Sequence, residues 1–355
     1  MKKTLNNLGA FFTLALLVFA IVGCSNPAGG SPPSAPPPPY IITGSSGAFT
    51  AAHEDGTTIA AGQPIQDLIN AIRTDAAGRP VTIQFGSGDD VLNVGNVGTG
   101  IVFDNSGGTW GPITLRGSVT RSGGDNPTFL LTNVSITSTI NIGVSAQNNG
   151  GFRLEGSANL TITEGTLNSQ ESLNGAVHHN STGLLTISGG ILSSSSLMGT
   201  IWLENVESRM IMSGGTVRST TNAPNGTAIQ VSSTLENAVI ISGGTVGSMN
   251  GSSVHEGEIT EFLGVAIRNM STGGVTIRGT ALITSRAQSA GTIRLNNTSG
   301  GTLTIEGSAT VRNWNPGTSN SAGEAIIVIA ADNEARKARV THTSGTISPM
   351  PDWLE

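Results

Sequence analysis

Five residues hold one position of a recurring phrase and supply most of the recognition chemistry in this chain. The phrases are NGAVHHN, MGTIWLEN, NGTAIQVS, LGVAIRNM and AGTIRLNN, with GEAIIVIA closing the series; in each, a small residue and then a β-branched one follow a turn. The next residue is His178, Trp202, Gln230, Arg268 and Arg294 in turn, with Asn180, Glu204, Ser232, Met270 and Asn296 two positions on. Side chains alternate along a strand, so these residues face outward and equivalent positions of stacked repeats form a row. An indole and two guanidinium groups on a flat polar row suit a sugar chain or an acidic glycan, through stacking and charge-assisted hydrogen bonds. A solvated sheet face that needs only to be soluble is the competing reading.

Two longer loops carry the other candidates. The loop GSMNGSSVHEGEITEF gathers His255, Glu256, Glu258 and Glu261, a set able to hold a divalent ion or to offer an acid and a base, and equally able to be plain solvated surface. The loop RNWNPGTSNSAG offers Trp314 to a partner or a sugar, or packs it over the edge of the fold. A further outward row, Thr161, Thr186, Ile211, Ile240, Thr276, Thr304 and Thr341, has the look of an ice-binding threonine array. Its two isoleucines, with Arg278 and Glu306 beside it, break the regularity such a surface requires.

Catalytic signatures are missing. No aspartate stands between Asp125 and Asp332, and Glu155, Glu164, Glu204, Glu207 and Glu236 show no partner at matching repeat positions. There is no G-x-S-x-G elbow, HExxH, phosphate loop or cysteine pair, so no catalytic residue, metal site or cofactor is assigned.

The elements that must position the row also repeat. VIISGGTVGS (239–248) restates MIMSGGTVRS (210–219), LTISGGILSS (185–194) and LTITEGTLNS (160–169). Aligned on Ile162, Ile187, Met212, Ile241, Ile277 and Ile305, the intervals are 25, 25, 29, 36 and 28 residues. Two interleaved phrases of constant order predict two strands per repeat. With no helices between them and glycine at the corners, they predict an all-β parallel solenoid whose inward aliphatics stack from coil to coil. The paired glycines of SGG are expected to supply positive-φ corners. Before the repeats, Ile65, Leu68, Ile69 and Ile72 fall at i, i+3, i+4 and i+7 between Pro64 and Gly78, one amphipathic helix placed to cover the open end of the stack.

Of the 355 residues 49 are Gly, only 11% are charged, and the net charge is −6. With lysine only at positions 2, 3 and 337, a nucleic-acid partner held by counterion release is excluded. At the N-terminus Lys2 and Lys3 precede an apolar run that ends at Cys24, the single cysteine, which rules out an internal disulfide. Residues 25–40, SNPAGGSPPSAPPPPY, read as an extended polyproline stalk.

Ile21-Val22-Gly23-Cys24 resembles the lipobox of bacterial lipoproteins. That resemblance implies cleavage before Cys24, lipidation of its thiol and new amino terminus, and stable anchoring by several acyl chains; Ser25 implies outer-membrane sorting. The short helix followed by serial TI-S-GG-TV units resembles the right-handed parallel β-helix of pectin-lyase-like proteins and of repeat-containing surface lipoproteins, over roughly residues 60 to 348. Enzymes of that fold place aspartates on adjacent coils, a pattern from which this chain departs. The expected organisation is a signal peptide (1–23), a lipidated cysteine and stalk (24–40), an N-terminal lead-in with capping helix (41–80), β-helix repeats (81–348) and a tail (349–355). The expected function is a lipid-anchored, non-catalytic adhesion or binding module of the cell envelope, directed at a glycan or host matrix. A divergent polysaccharide lyase or glycoside hydrolase using the 250–262 loop, and a structural envelope component, are the alternatives. Nothing in the sequence sets an oligomeric state.

Overall fold

The computed structural model describes residues 39–45, 47–123, 126–144, 150–170, 175–221, 226–248, 264–285, 291–296, 300–314 and 324–354. They form a parallel β-helix. Each complete coil contributes three strands rather than two, one to each of three parallel sheets. The extra strand comes from the SGG phrase, which is two strands joined by a corner. Arg209–Met212 lies in the first sheet and Thr216–Ser219 in the second, and the chain turns between them at Ser213, Gly214 and Gly215.

The two glycines of this corner are needed for different reasons. Gly215 has φ +78°, a conformation that strains any residue with a Cβ. Gly214 has no such φ, but a Cβ there would collide with the carbonyl oxygen of Ser188 in the preceding coil. Only the second glycine is therefore the positive-φ corner expected from the sequence; the first is a clearance between stacked backbones.

Three aliphatic columns fill the interior. Ile162, Ile187, Met212, Ile241, Ile277 and Ile305 are consecutive partners in the first sheet. Leu167, Leu192, Val217, Val246, Ile283 and Val311 do the same in the second. In the third, the column is Val177, Ile201, Ile229, Ile267, Ile293 and Ile326. All of these are buried. Each aliphatic group is shielded by its counterparts in the coils above and below, about 4.8 Å away. Aromatics concentrate in the first coils, where Phe129 stacks on Phe152 with ring centroids 5.2 Å apart.

Both ends are closed by structure that occurs once. At the N-terminal end an antiparallel meander of β1 (Tyr40–Ser45), β2 (Ala48–His53) and β3 (Thr58–Gln63) precedes α1 (Ile65–Ala76), and β1 pairs in parallel with Val81–Phe85 to start the first sheet. The expected helix is present, with Ile65, Leu68, Ile69 and Ile72 buried. It covers the edge of the third sheet chemically as well as sterically. The Gln66 amide donates to the Val102 carbonyl at 3.0 Å and accepts from the Val102 amide at 2.8 Å, completing backbone bonds that the first strand of that sheet has no earlier coil to make. At the other end a second short helix, α2 (Asn333–Lys337), is capped by the Asp332 side chain, and Trp353, 5% exposed, joins the core. Met350, Trp353 and Leu354 thus belong to the packed end of the stack.

Candidate binding face

The third sheet positions the recognition row. Its nine strands run in chain order: Ile101–Asp104, Phe129–Thr132, Phe152–Gly156, Val177–Ser181, Ile201–Leu203, Thr227–Val231, Val265–Asn269, Ile293–Leu295 and Ile326–Val328. Register pairs Arg153 with His178, His178 with Trp202, Trp202 with Gln230, Gln230 with Arg268, and Arg268 with Arg294. The row read from the phrases is therefore a physical row of adjacent side chains, continued backward by Arg153 and ended by Ile327. Sequence reading missed Arg153, because FRLEG lacks the small and β-branched pair that marks the phrase.

His178 departs from the expected role. It is 4% exposed, its ring lies parallel to Trp202 (centroids 4.5 Å apart, 6° between planes), and its Nε2 is 2.6 Å from Glu204 Oε2. Burial pulls its pKa below the ordinary histidine value, outweighing the neighbouring Glu204 carboxylate. His178 thus packs against one face of the indole from the adjacent strand rather than being offered to a ligand. The next residue, His179, points inward and is fully buried, with Nε2 3.1 Å from the Arg209 carbonyl oxygen; burial lowers its pKa to about 4.

From Trp202 onward the row is partly exposed and short of partners. Trp202 Nε1, Arg268 Nε and Arg294 Nε are buried atoms without a hydrogen-bond partner among the described residues. No acidic side chain among the described residues forms an ion pair with Arg268 or Arg294. Their backbones are one strand spacing apart, about 4.8 Å. Like charges carried on adjacent strands repel one another. The consequence is visible in Arg268, whose pKa is lowered by burial and then by the Arg294 charge. An anion between the two would relieve both effects.

The neighbouring outward row changes the reading of two glutamates. Glu155 is in register with Asn180, and the Glu204 amide continues the ladder by donating to the His179 carbonyl at 3.0 Å. Glu155 and Glu204 therefore occupy matching positions on either side of Asn180, contrary to their scattered appearance in the sequence. Both are committed to basic neighbours: Glu155 Oε1 lies 2.8 Å from Arg153 Nε, and Glu204 holds His178. Further along, Asn296 Nδ2 lies 3.1 Å from Met270 Sδ.

Trp314 is not part of this face. It follows the second-sheet strand Thr310–Asn313, donates from Nε1 to Thr284 Oγ1 at 2.7 Å, and has the Arg312 guanidinium carbon 3.2 Å above its ring centroid, leaving it 39% exposed. The threonine row of the first sheet is in register as read, from Thr161 through Ile211 and Ile240 to Thr341. Cys24 and the loop residues His255, Glu256, Glu258 and Glu261 lie outside the described residues. Among the described residues no group of three or more His, Cys, Asp or Glu side chains could hold a metal ion, and no helix is long and apolar enough to cross a membrane. No protein-family model matches the chain, nor does any curated protein or solved structure.

Proposed function

We propose that this is a lipid-anchored protein of the bacterial envelope, whose third-sheet face binds an acidic glycan without catalysis, the acidic chains of a host matrix among them. One observation carries the reading: Trp202, Gln230, Arg268 and Arg294 stand on consecutive strands, and among the described residues neither guanidinium group has an acidic partner and the Trp202 indole N–H has no acceptor. Three strand spacings give the row a length of about 14 Å, enough for a short oligosaccharide lying along the coil axis. Trp202, one face of its indole covered by His178 on the adjacent strand, supplies an aromatic contact for a sugar, and the arginine pair supplies bidentate sites for carboxylate or sulfate. Anchoring rests on Lys2, Lys3, the apolar run and Cys24, with the proline-rich stalk setting the body off from the membrane.

The test is a glycan array probed with the full-length protein and with the double variant Trp202→Ala/Arg268→Ala. Outward substitutions remove little from the core, so the variant should fold as the parent does while losing its signal on acidic glycans. Equal signals from parent and variant, or silence of the parent on every acidic glycan, would overturn the proposal.

A further inference from the structure

We infer that a trough at the corner between the third and first sheets is a second binding site, selective for a short aliphatic peptide with free termini. It arises because successive corners lengthen. Two residues (182–183) join the third-sheet strand ending at Ser181 to the first-sheet strand beginning at Leu184, five (204–208) make the next corner, and seven (232–238) the one after. These corners border a trough of ≈ 510 Å³ lined by Leu184, Glu207, Arg209, Ile211 and Leu235, together with Asn159, Thr182 and Gly183.

The trough is held in place by backbone bonds. Leu184 and Arg209 are register partners on adjacent strands, and Ile211 is two residues beyond Arg209 on the same face, 37% exposed. Leu235 walls the far end from the longest corner, its carbonyl accepting from the amides of Ala238 and Gly274 at 3.1 and 2.9 Å. Glu207 is presented by a tight turn in which its amide donates to Asn205 Oδ1 at 2.9 Å, and Ser208 Oγ donates to the Asn205 carbonyl at 2.7 Å. Asn159 is already satisfied, accepting from the Leu184 amide and donating to Ser135 Oγ.

The ligand class follows from what is left unsatisfied. Glu207, in the turn, and Arg209, the first residue of the strand that follows, are two residues apart. Both are exposed, both line the same trough, and neither pairs with the other or with any group among the described residues. The remaining side chains of the trough are the aliphatic Leu184, Ile211 and Leu235 and two polar groups already bonded within the protein, Asn159 and Thr182, whose Oγ1 donates to the Gly156 carbonyl. A zwitterion whose carboxylate meets Arg209, whose ammonium meets Glu207 and whose side chains rest on Leu184, Ile211 and Leu235 complements all five residues. A glycan does not: the trough has no aromatic platform, and its aliphatic floor would strip water from hydroxyls without replacing their bonds. This site shares no residue with the third-sheet row, so the two proposals stand or fall separately.

The experiment is calorimetric titration of the full-length protein in detergent with L-leucyl-L-leucine, its Nα-acetyl and C-terminal amide derivatives, and glycylglycine. Dileucine should bind, and acetylation or amidation should each weaken it about tenfold, one charge-assisted bond being removed in each case. Glu207→Gln should abolish the penalty for acetylation and Arg209→Gln the penalty for amidation, while Trp202→Ala/Arg268→Ala should leave dileucine affinity unchanged. Absence of heat with dileucine at about 10 mM, equal binding of dileucine and glycylglycine, or parent-like penalties in both charge variants would each overturn the inference. The derivative peptides test it without any change to the protein.

Discussion

Ile241 offers the sharpest perturbation of the stack. It is fully buried, with Met212 and Ile277 as its partners in the coils on either side. Truncation to alanine removes three carbons from a site that can collapse little, and should cost about 3 kcal/mol within the range for buried isoleucine. The geometry makes a second, stricter demand. Ile277 is one strand spacing away, so Ile277→Ala should enlarge the same void, and the double variant should depart from additivity by about 0.5 to 1 kcal/mol. Ile162 lies three spacings along the same column, about 14 Å off. Ile162→Ala should therefore add to Ile241→Ala within about 0.5 kcal/mol. Urea unfolding followed by circular dichroism gives all the terms of both cycles. Coupling of the distant pair as large as that of the neighbouring pair, or a cost for Ile241→Ala below about 1 kcal/mol, would refute the stacking argument.

Three further outcomes are expected. The unfolded His179 imidazole takes a proton below its ordinary value of 6.5, but the buried one does so only near 4. Between those values protons therefore favour the unfolded chain, and stability should fall by about 3 kcal/mol on acidification; unfolding curves at stepped pH should show this fall, and His179→Leu should flatten it. Gly214→Ala, at a corner with no positive φ, should still destabilise by more than about 1 kcal/mol through its collision with Ser188, measured against the milder effect of an exposed Ser→Ala control. Gln66→Ala should cost about 2 kcal/mol by unpairing the Val102 amide and carbonyl, and hydrogen exchange should show the first third-sheet strand opening more often while later coils keep their protection.

What the sequence revealed, it revealed through repetition. Residues such as Trp202 and Arg268 could be set side by side from phrase alignment because strand alternation turns equal phrase positions into equal facing, and register preserves that over five coils. Features that occur once were harder to read: the β1–β3 meander, α2 and the return of Trp353 have no second copy to align with. The third strand of each coil was hidden for another reason. The residues on both sides of SGG are strand formers, and only the corner at Gly214 and Gly215 separates them into two sheets. His178 illustrates a limit of alternation, which fixes the face a side chain points from and not whether a larger neighbour covers it. The trough was invisible because it depends on differences in corner length, which alignment on conserved phrases treats as gaps.

The most direct test of the proposed binding face compares one oligosaccharide in two charge states. A short uronate oligosaccharide and its carboxyl-reduced, neutral counterpart would be titrated into the full-length protein and into Arg268→Gln/Arg294→Gln, at low and at moderate salt. The arrangement of Arg268 and Arg294 predicts that the parent prefers the uronate by at least about tenfold. That preference should shrink as salt rises and vanish in the double variant, while weak contact with Trp202 persists. Equal affinity of the parent for both oligosaccharides, or a preference that survives the loss of both arginines, would contradict the assignment.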